Sequence, residues 1–468
     1  MTNRKVILLI ILVTKSFWSI AQVDSHYWTH QYGARGLLLN GAVIASAEGE
    51  TSLFYNPGSM GMGDDLGFAF SFLSPTYSSL EARNFLGDDN VITDTGLGFS
   101  PGFLGVRFKP FKSDRFIAGI TAFERYRTDI NFEDRVVDQT NQGLFRGDLD
   151  FARQISEDWY GIGLACQITE DVGLGITQFS IWHNQELDFR LNKEIVTDER
   201  PSEILLGWQR EFHYNLSIQS GFVTKVGLRV KQPDWNLGVT FTSPTYGIVR
   251  STASYTTDDF RVDDAADSFT NFSNRNEVTL QSFKSPFSVG LGLDITTGDN
   301  VLSLSMEYFG QIRRHTVFED LDDSFDGLAD EPLITSVILE NSNLSVTNIA
   351  IGFYRKPSEN VTWLFGARTD FDQSNNVRLN NTTEYLGTTG NVFHISGGGS
   401  FDFGQNQFSI GIDLAYGQRR NGRQLVDISD IEQNNFFMLN GQDNVSSRFF
   451  ATTLFLTYDF IFSRINGT

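Results

Sequence analysis

Phe408-Ser409-Ile410-Gly411-Ile412-Asp413-Leu414-Ala415-Tyr416-Gly417 is the stretch that decides the fold. Phe408, Ile410, Ile412, Leu414 and Tyr416 share one face, while Ser409, Gly411, Asp413, Ala415 and Gly417 share the other. Alternation with a period of two marks a β-strand that has one apolar face and one polar or small face. The same reading applies to Tyr160 through Ile168, where Ile162, Leu164 and Cys166 alternate with Gly161, Gly163 and Ala165. It applies again to Leu237, Val239 and Phe241 against Asn236, Gly238 and Thr240. Near the end of the chain Phe450, Leu454, Leu456, Tyr458 and Phe460 oppose Ala451, Thr453, Thr457 and Asp459, with Thr452 and Phe455 breaking the pattern. Runs of about 9–12 residues exceed the usual strand of a soluble sheet and match the length that crosses a bilayer.

The connections carry the count. Short polar punctuations stand at Lys112–Arg115, Thr169–Asp171, Lys231–Asp234, Thr297–Asp299, Lys356–Asn360 and Gly404–Asn406, rich in the residues that tight turns need. Long polar stretches near 75–98, 127–156, 188–211, 250–276, 316–335, 373–392 and 418–446 alternate with them. Six short turns and seven long stretches join fourteen strands, with both termini on the short-turn side. The predicted fold is therefore all-β: a transmembrane antiparallel β-barrel of 14 strands over residues 66–468. In hydrocarbon every backbone amide must be paired, so such a sheet has to close on itself. Trp159, Trp182, Trp235, Trp363 and Tyr458 are expected in the two interfacial girdles. Arg107, Lys109, Glu307, Arg368, Asp370, Asp413 and Asp459 are expected to point into the lumen.

The start of the chain reads as an address. Arg4 and Lys5 precede the apolar run Val6–Val13, and Ser19-Ile20-Ala21 offers small residues for cleavage, so residues 1–21 are predicted to be a signal peptide. Its loss removes Arg4, Lys5 and Lys15 and no acid, taking the net charge from −21 to −24. That charge argues against nucleic acid as a partner. The single cysteine, Cys166, can form no internal disulfide and falls on an apolar face, as an inert packed thiol. The predicted location is the bacterial outer membrane, with membrane lipid around the wall, termini in the periplasm and the long polar stretches outside.

Residues 22–65 do not alternate. They hold Gly33-Ala34-Arg35-Gly36, the small and apolar Gly41–Ala47, and Tyr55-Asn56-Pro57-Gly58. The middle is expected to form a short helix ended by Gly49 or by the Asn56-Pro57 turn. Fourteen strands enclose a lumen too wide for side chains alone, so this segment is expected to serve as a hatch or plug. Asn56-Pro57 as a plain turn before the first strand is the simpler alternative.

The order Gly33-Ala34-Arg35, Gly41-Ala42, Ala45-Ser46-Ala47, Asn56-Pro57-Gly58, followed directly by a barrel, resembles the FadL family of outer-membrane transporters for long-chain fatty acids and hydrocarbons. Pro233–Pro244 and Ser285–Gly292 are similar to further strands of that family. The resemblance covers essentially the whole chain after the leader and implies a hydrophobic small-molecule ligand. It places the family's hatch motif on Asn56, Pro57 and Gly58, where Gly58 replaces the family's alanine and is expected to make the hatch more permissive. It also implies a wall opening beside a kinked third strand, near Phe116–Tyr126, where Gly119 is the residue able to relax the pleat.

The sequence shows no catalytic constellation, no cofactor motif and no complete metal motif. The histidines are scattered and no Gly-x-Ser-x-Gly elbow occurs. His26 and His30 would share a face only in a helix. Asp322-x-Ser324-x-Asp326-Gly327 opens like a calcium loop, but its twelfth position is Leu333, so a solvated acidic loop is expected. The chain is thus read as no enzyme. Passive transport of a hydrophobic molecule is one function this allows. A barrel subunit of an envelope complex with a protein partner, similar to PorV of type IX secretion, is another. A polar porin ranks below both, since porins have more strands and no hatch.

Overall fold

The computed structural model describes the chain from His26 to Arg464, except residues 63–64, 72–73, 86, 88–90, 101, 112–114, 197–203, 248–249, 264–267, 279–283, 322–335, 375–389, 423, 425–426 and 433–443. The predicted leader and the calcium-like loop lie outside these described residues.

Fourteen antiparallel strands form one closed wall, several of them in two segments. They are β1 (Asp65–Ser71 and Ser74–Arg83), β2 (Val91–Ser100 and Phe103–Phe108), β3 (Phe116–Gln139), β4 (Leu144–Thr169), β5 (Val172–Val196) and β6 (Ile204–Lys231). Next come β7 (Trp235–Thr242 and Arg250–Asp263), β8 (Ser268–Val278 and Ser288–Thr297), β9 (Asn300–Phe309 and Ile312–Leu321) and β10 (Ser336–Asn343 and Val346–Ser358). The last four are β11 (Val361–Asp370), β12 (Asn391–Phe403), β13 (Asn406–Gly422) and β14 (Val445–Arg464). Each strand pairs with its successor, and β14 closes on β1 through pairs such as Phe68 with Phe460 and Ser79 with Phe450; among the described residues the outer segments of β9 and β10, Ile312–Leu321 and Ser336–Asn343, pair with each other in a separate two-stranded sheet. The partners Asp65 and Arg464 bring the two ends of the wall together on the short-turn side.

Outward side chains are large and apolar, while their neighbours in sequence face inward and are small. Ile162 is 70% exposed, and Gly163 beside it lies against Leu53 in the interior. The pattern repeats at Ile410, Ile412 and Leu414, exposed on β13, with Gly411 facing Leu38. Trp182, Trp235 and Trp363 sit on the outer face, as a girdle requires. Trp159 does not: it is buried inside, one residue before the outward Tyr160.

Much of what reads as long loop is strand. β3 and β4 run on to Gln139 and from Leu144, so their connection spans only 140–143 instead of 127–156. β5 and β6 likewise reach Val196 and restart at Ile204. These extensions leave the lipid belt, so their outer faces carry charge, as in the pairs Arg135–Asp148 and Arg146–Glu194. Their inner faces are largely apolar: Phe145, Leu149, Leu191, Ile195, Leu206 and Trp208 form one cluster with Phe85 and Ile428, and the buried Lys193 and Arg210 stand over the Trp208 ring. Water on one side disguised the strands as loops; the apolar alternation persisted on the other.

Candidate functional site

Residues from His26 to Met62 lie inside this wall, almost all buried. The expected helix over Gly41–Ala47 is absent. Helix α1 is instead Gly33–Leu38, and Leu39–Ser46 turns back through Asn40 and Gly41, both with positive φ. A 3-10 turn at Gly49–Thr51 leads into α2 (Ser52–Tyr55) and α3 (Pro57–Met60). His26 and His30 precede α1 in non-helical chain, so they share no helical face; His26 Nε2 instead contacts the carbonyl of Gly390 at 2.8 Å.

Asn56 organises the join between α2 and α3. Its backbone is extended, which breaks the helix, and Pro57 then starts α3 where no amide donor is needed. The Asn56 side chain accepts from Gly58 N at 3.0 Å and donates to Ile44 O at 2.8 Å and to Leu228 O of β6 at 3.1 Å. One amide thus caps a helix, folds the segment on itself and ties it to the wall. Asn56 is fully buried, so losing these bonds would leave orphaned groups.

Glycine makes the docking possible. A Cβ on Gly58 would stand 2.6 Å from Gly227 O and 2.8 Å from Gly173 O. On the wall, a Cβ on Gly175 would stand 2.2 Å from Pro57 O, and one on Gly227 2.1 Å from Asn56 Oδ1. Gly58 therefore allows backbone to lie on backbone. Other inward glycines continue this contact around the wall: Gly238 and Gly292 meet Ile44 and Ala45, Gly366 meets Leu39, and Gly398 meets Leu38.

A buried polar network fastens the opposite side. Arg368 of β11 donates to Thr29 O at 2.9 Å, to the Asn40 side chain and to His394 Nε2 at 3.3 Å. His394 Nδ1 in turn meets Asp413 at 2.9 Å, so the imidazole donates on one side and accepts on the other. Trp28 donates from its indole to Glu307 at 2.7 Å and from its backbone to Asp370 at 3.1 Å. The inward placement expected for Arg107, Glu307, Arg368 and Asp370 holds, and each is buried. Arg107 lies 3.5 Å from Glu50 of the interior segment.

Above α2 the interior is aromatic. Tyr32, Phe54, Phe103, Phe123, Trp159 and Phe179 pack together with Ile181 and Val223. The Phe54 ring lies 5.1 Å from Phe123 and 5.2 Å from Tyr32, both edge to face. Two cations border this cluster: Lys225 Nζ stands 5.0 Å over Phe54, and the Arg125 guanidinium 5.6 Å over it. Neither was singled out in the sequence. Arg125 enters because β3 bulges: the register against β4 shifts between Glu124 and Tyr126, leaving Arg125 as the extra residue. Bulges redirect side chains in this way. Arg125 donates inward to Tyr27 O.

The same region marks a change in the wall. β2 and β3 pair from Phe108 with Ala118 up to Phe103 with Phe123. Among the described residues no backbone ladder joins Val91–Ser100 of β2 to Glu124–Gln139 of β3, although each keeps its other neighbour, β1 and β4. Higher up, Ile92 and Phe85 pack against the β3 side through Phe132 and Val136, so the unpaired stretch has a roof. Gly119 lies below it and keeps regular pairs with Arg107 and Gly163. The irregularity of the third strand is therefore at Arg125, not at Gly119, whose missing Cβ makes room for Leu53.

No protein-family model and no curated protein matches the chain. Solved structures do. The toluene transporter TodX of Pseudomonas putida is 14% identical, with a TM-score of 0.57, over 92% of this chain and 99% of that one. A FadL homologue of Pseudomonas aeruginosa is 11% identical, with a TM-score of 0.60, over 94% of this chain and 100% of that one. A TodX mutant described as a monoaromatic hydrocarbon channel gives 13% identity and a TM-score of 0.59 over 93% and 100%. At these identities the likeness concerns the fold: this chain has the 14-stranded architecture of the FadL and TodX barrels.

Proposed function

We propose that this protein is an outer-membrane transporter that lets hydrophobic small molecules pass through the wall of a barrel plugged by its own N-terminal segment. The observation that carries the reading is the meeting of the aromatic cluster with the unpaired stretch between β2 and β3. Phe103 and Phe123 belong to the cluster and also form the last rung of the ladder below that stretch. The docked interior segment obstructs an axial route, while apolar cargo resting on the rings has lipid just beyond the wall. Asn56, Pro57 and Gly58 act as the hatch hinge in this reading, residues 1–21 as the cleaved leader, and the extended ends of β3–β6 face outward from the cell. The FadL homologue and TodX, a toluene transporter, share the architecture and support the same cargo class.

Replacing Gly96 or Gly98 by Trp tests it, because both belong to the unpaired edge of β2. Cells carrying either variant should take up labelled toluene or oleate at a small fraction of the wild-type rate, with folded barrel in equal amount. Uptake that stays at the wild-type rate in both variants would count against a lateral route.

The charged outer faces of β3–β6 favour a second reading, docking of an envelope protein partner. Recovery of a stoichiometric neighbour after mild detergent extraction distinguishes it from a transporter acting alone.

A further inference from the structure

Outside the lipid belt, β5 and β6 bring together three metal-ligating side chains that the transport reading does not use. Asp188 and His213 are direct cross-strand partners, and Glu186 lies two residues along β5 on the same outward face. His213 Nδ1 contacts Asp188 Oδ1, and His213 Nε2 stands 3.9 Å from Glu186 Oε1. One donor atom from each residue lies within 4.8 Å of the other two. An imidazole with two carboxylates is a donor set that suits first-row divalent ions, zinc among them, better than calcium or magnesium. We propose that Glu186, Asp188 and His213 form a binding site for a divalent transition-metal ion on the outer face of the barrel extension. With three protein ligands the remaining positions stay open to water or to an external ligand.

Placement favours binding. Trp182, exposed on the same strand, marks the girdle, and Glu186 is four residues beyond it, about 13 Å at strand rise. The trio is thus in water or among headgroups, where an ion can enter freely. The nearest cation along β5, Arg190, does not take up these acids: it pairs with Glu211 at 2.7 Å and with Asp150 at 3.8 Å. All three ligands are partly exposed, so small rotamer changes can draw them to metal-bond distance without disturbing the ladder. The inference is independent of what passes through the wall.

Calorimetric titration of the full-length protein in detergent micelles with zinc chloride tests the proposal, with calcium chloride as the competing chemistry. Wild-type protein should take up one zinc per chain at micromolar concentration. H213A should weaken binding by about tenfold or more, D188N and E186Q should each weaken it, and H315A should leave it unchanged. Cobalt should bind the wild type with a visible d–d band that H213A lacks. Absence of zinc uptake by folded wild-type protein, equal affinity in H213A, or uptake of calcium in place of zinc would each overturn the site.

Discussion

Phe103 and Phe123 face each other across the last rung between β2 and β3, their rings 5.9 Å apart and 27° from parallel. The pair belongs to the wall by its backbone and to the interior by its side chains. Backbone pairing ends where the aromatic cluster begins, so Phe123 belongs both to the last rung and to that cluster. Removing its ring enlarges that junction. Phe123→Ala should destabilise the barrel by about 3 kcal/mol, the lower range for a buried aromatic truncation. It should also broaden the range of hydrocarbons taken up, toward bulkier ones. Urea unfolding in lipid vesicles measures the first effect and competition uptake with a size series measures the second.

Gly58 permits a contact that no other residue allows, since Gly227 O and Gly173 O lie 2.6 and 2.8 Å from where its Cβ would be. Gly58→Ala must therefore push α3 away from β5 and β6. Overpacking of this kind costs about 1–3 kcal/mol. Planar-bilayer recordings should show conductance events that the wild type lacks, and Gly227→Ala should show them too. Silent channels in both variants would mean that the segment absorbs the displacement without opening.

The closed barrel and its strand number were legible from alternation and punctuation, because lipid forces one face to be apolar and leaves the other small. The extensions of β3–β6 were not, since above the belt that outer constraint disappears and Arg135, Asp148 and Asp150 look like loop residues. Trp159 could have been placed correctly: Tyr160 beside it takes the outward position, so strict alternation sends Trp159 inside. Asn56 and Pro57 stood out by type, but the role of Gly58 depends on Gly173 and Gly227, more than a hundred residues away. Arg125 depends on a bulge, which leaves no mark in the periodicity of a single strand. Glu186, Asp188 and His213 meet through register, which sequence spacing does not encode.

Arg368 holds the polar side of the interior segment by contacts to Thr29, Asn40 and His394. Replacing it by Met leaves the Thr29 carbonyl, the Asn40 side chain and His394 without their donor, beside the buried Asp370. Leaving buried polar groups unsatisfied in this way costs about 1–3 kcal/mol. Arg368→Met should lower the midpoint of heat-modified mobility on gels and raise protease cleavage near Thr29. Restoring charge balance with Asp413→Asn in the same chain should recover part of the loss.

His30 makes docking of the segment sensitive to acid. Burial, then the neighbouring Arg125, Arg368 and His394, pushes its imidazole from the ordinary 6.5 down to about 3. The docked state thus holds His30 neutral, whereas the released segment binds a proton as the pH falls through 6.5. Released chain binds more protons between these two values, so docking is complete above about pH 6.5 and weakens steadily on going toward pH 3. Protonation would set a third cation between Arg125 and Arg368 with little water to screen it. Protease accessibility of the segment should therefore rise between pH 6.5 and 4 in the wild type. His30→Gln cannot acquire the charge, and its accessibility should change much less over the same range; equal acid sensitivity in both would assign the effect to the carboxylates of the network instead.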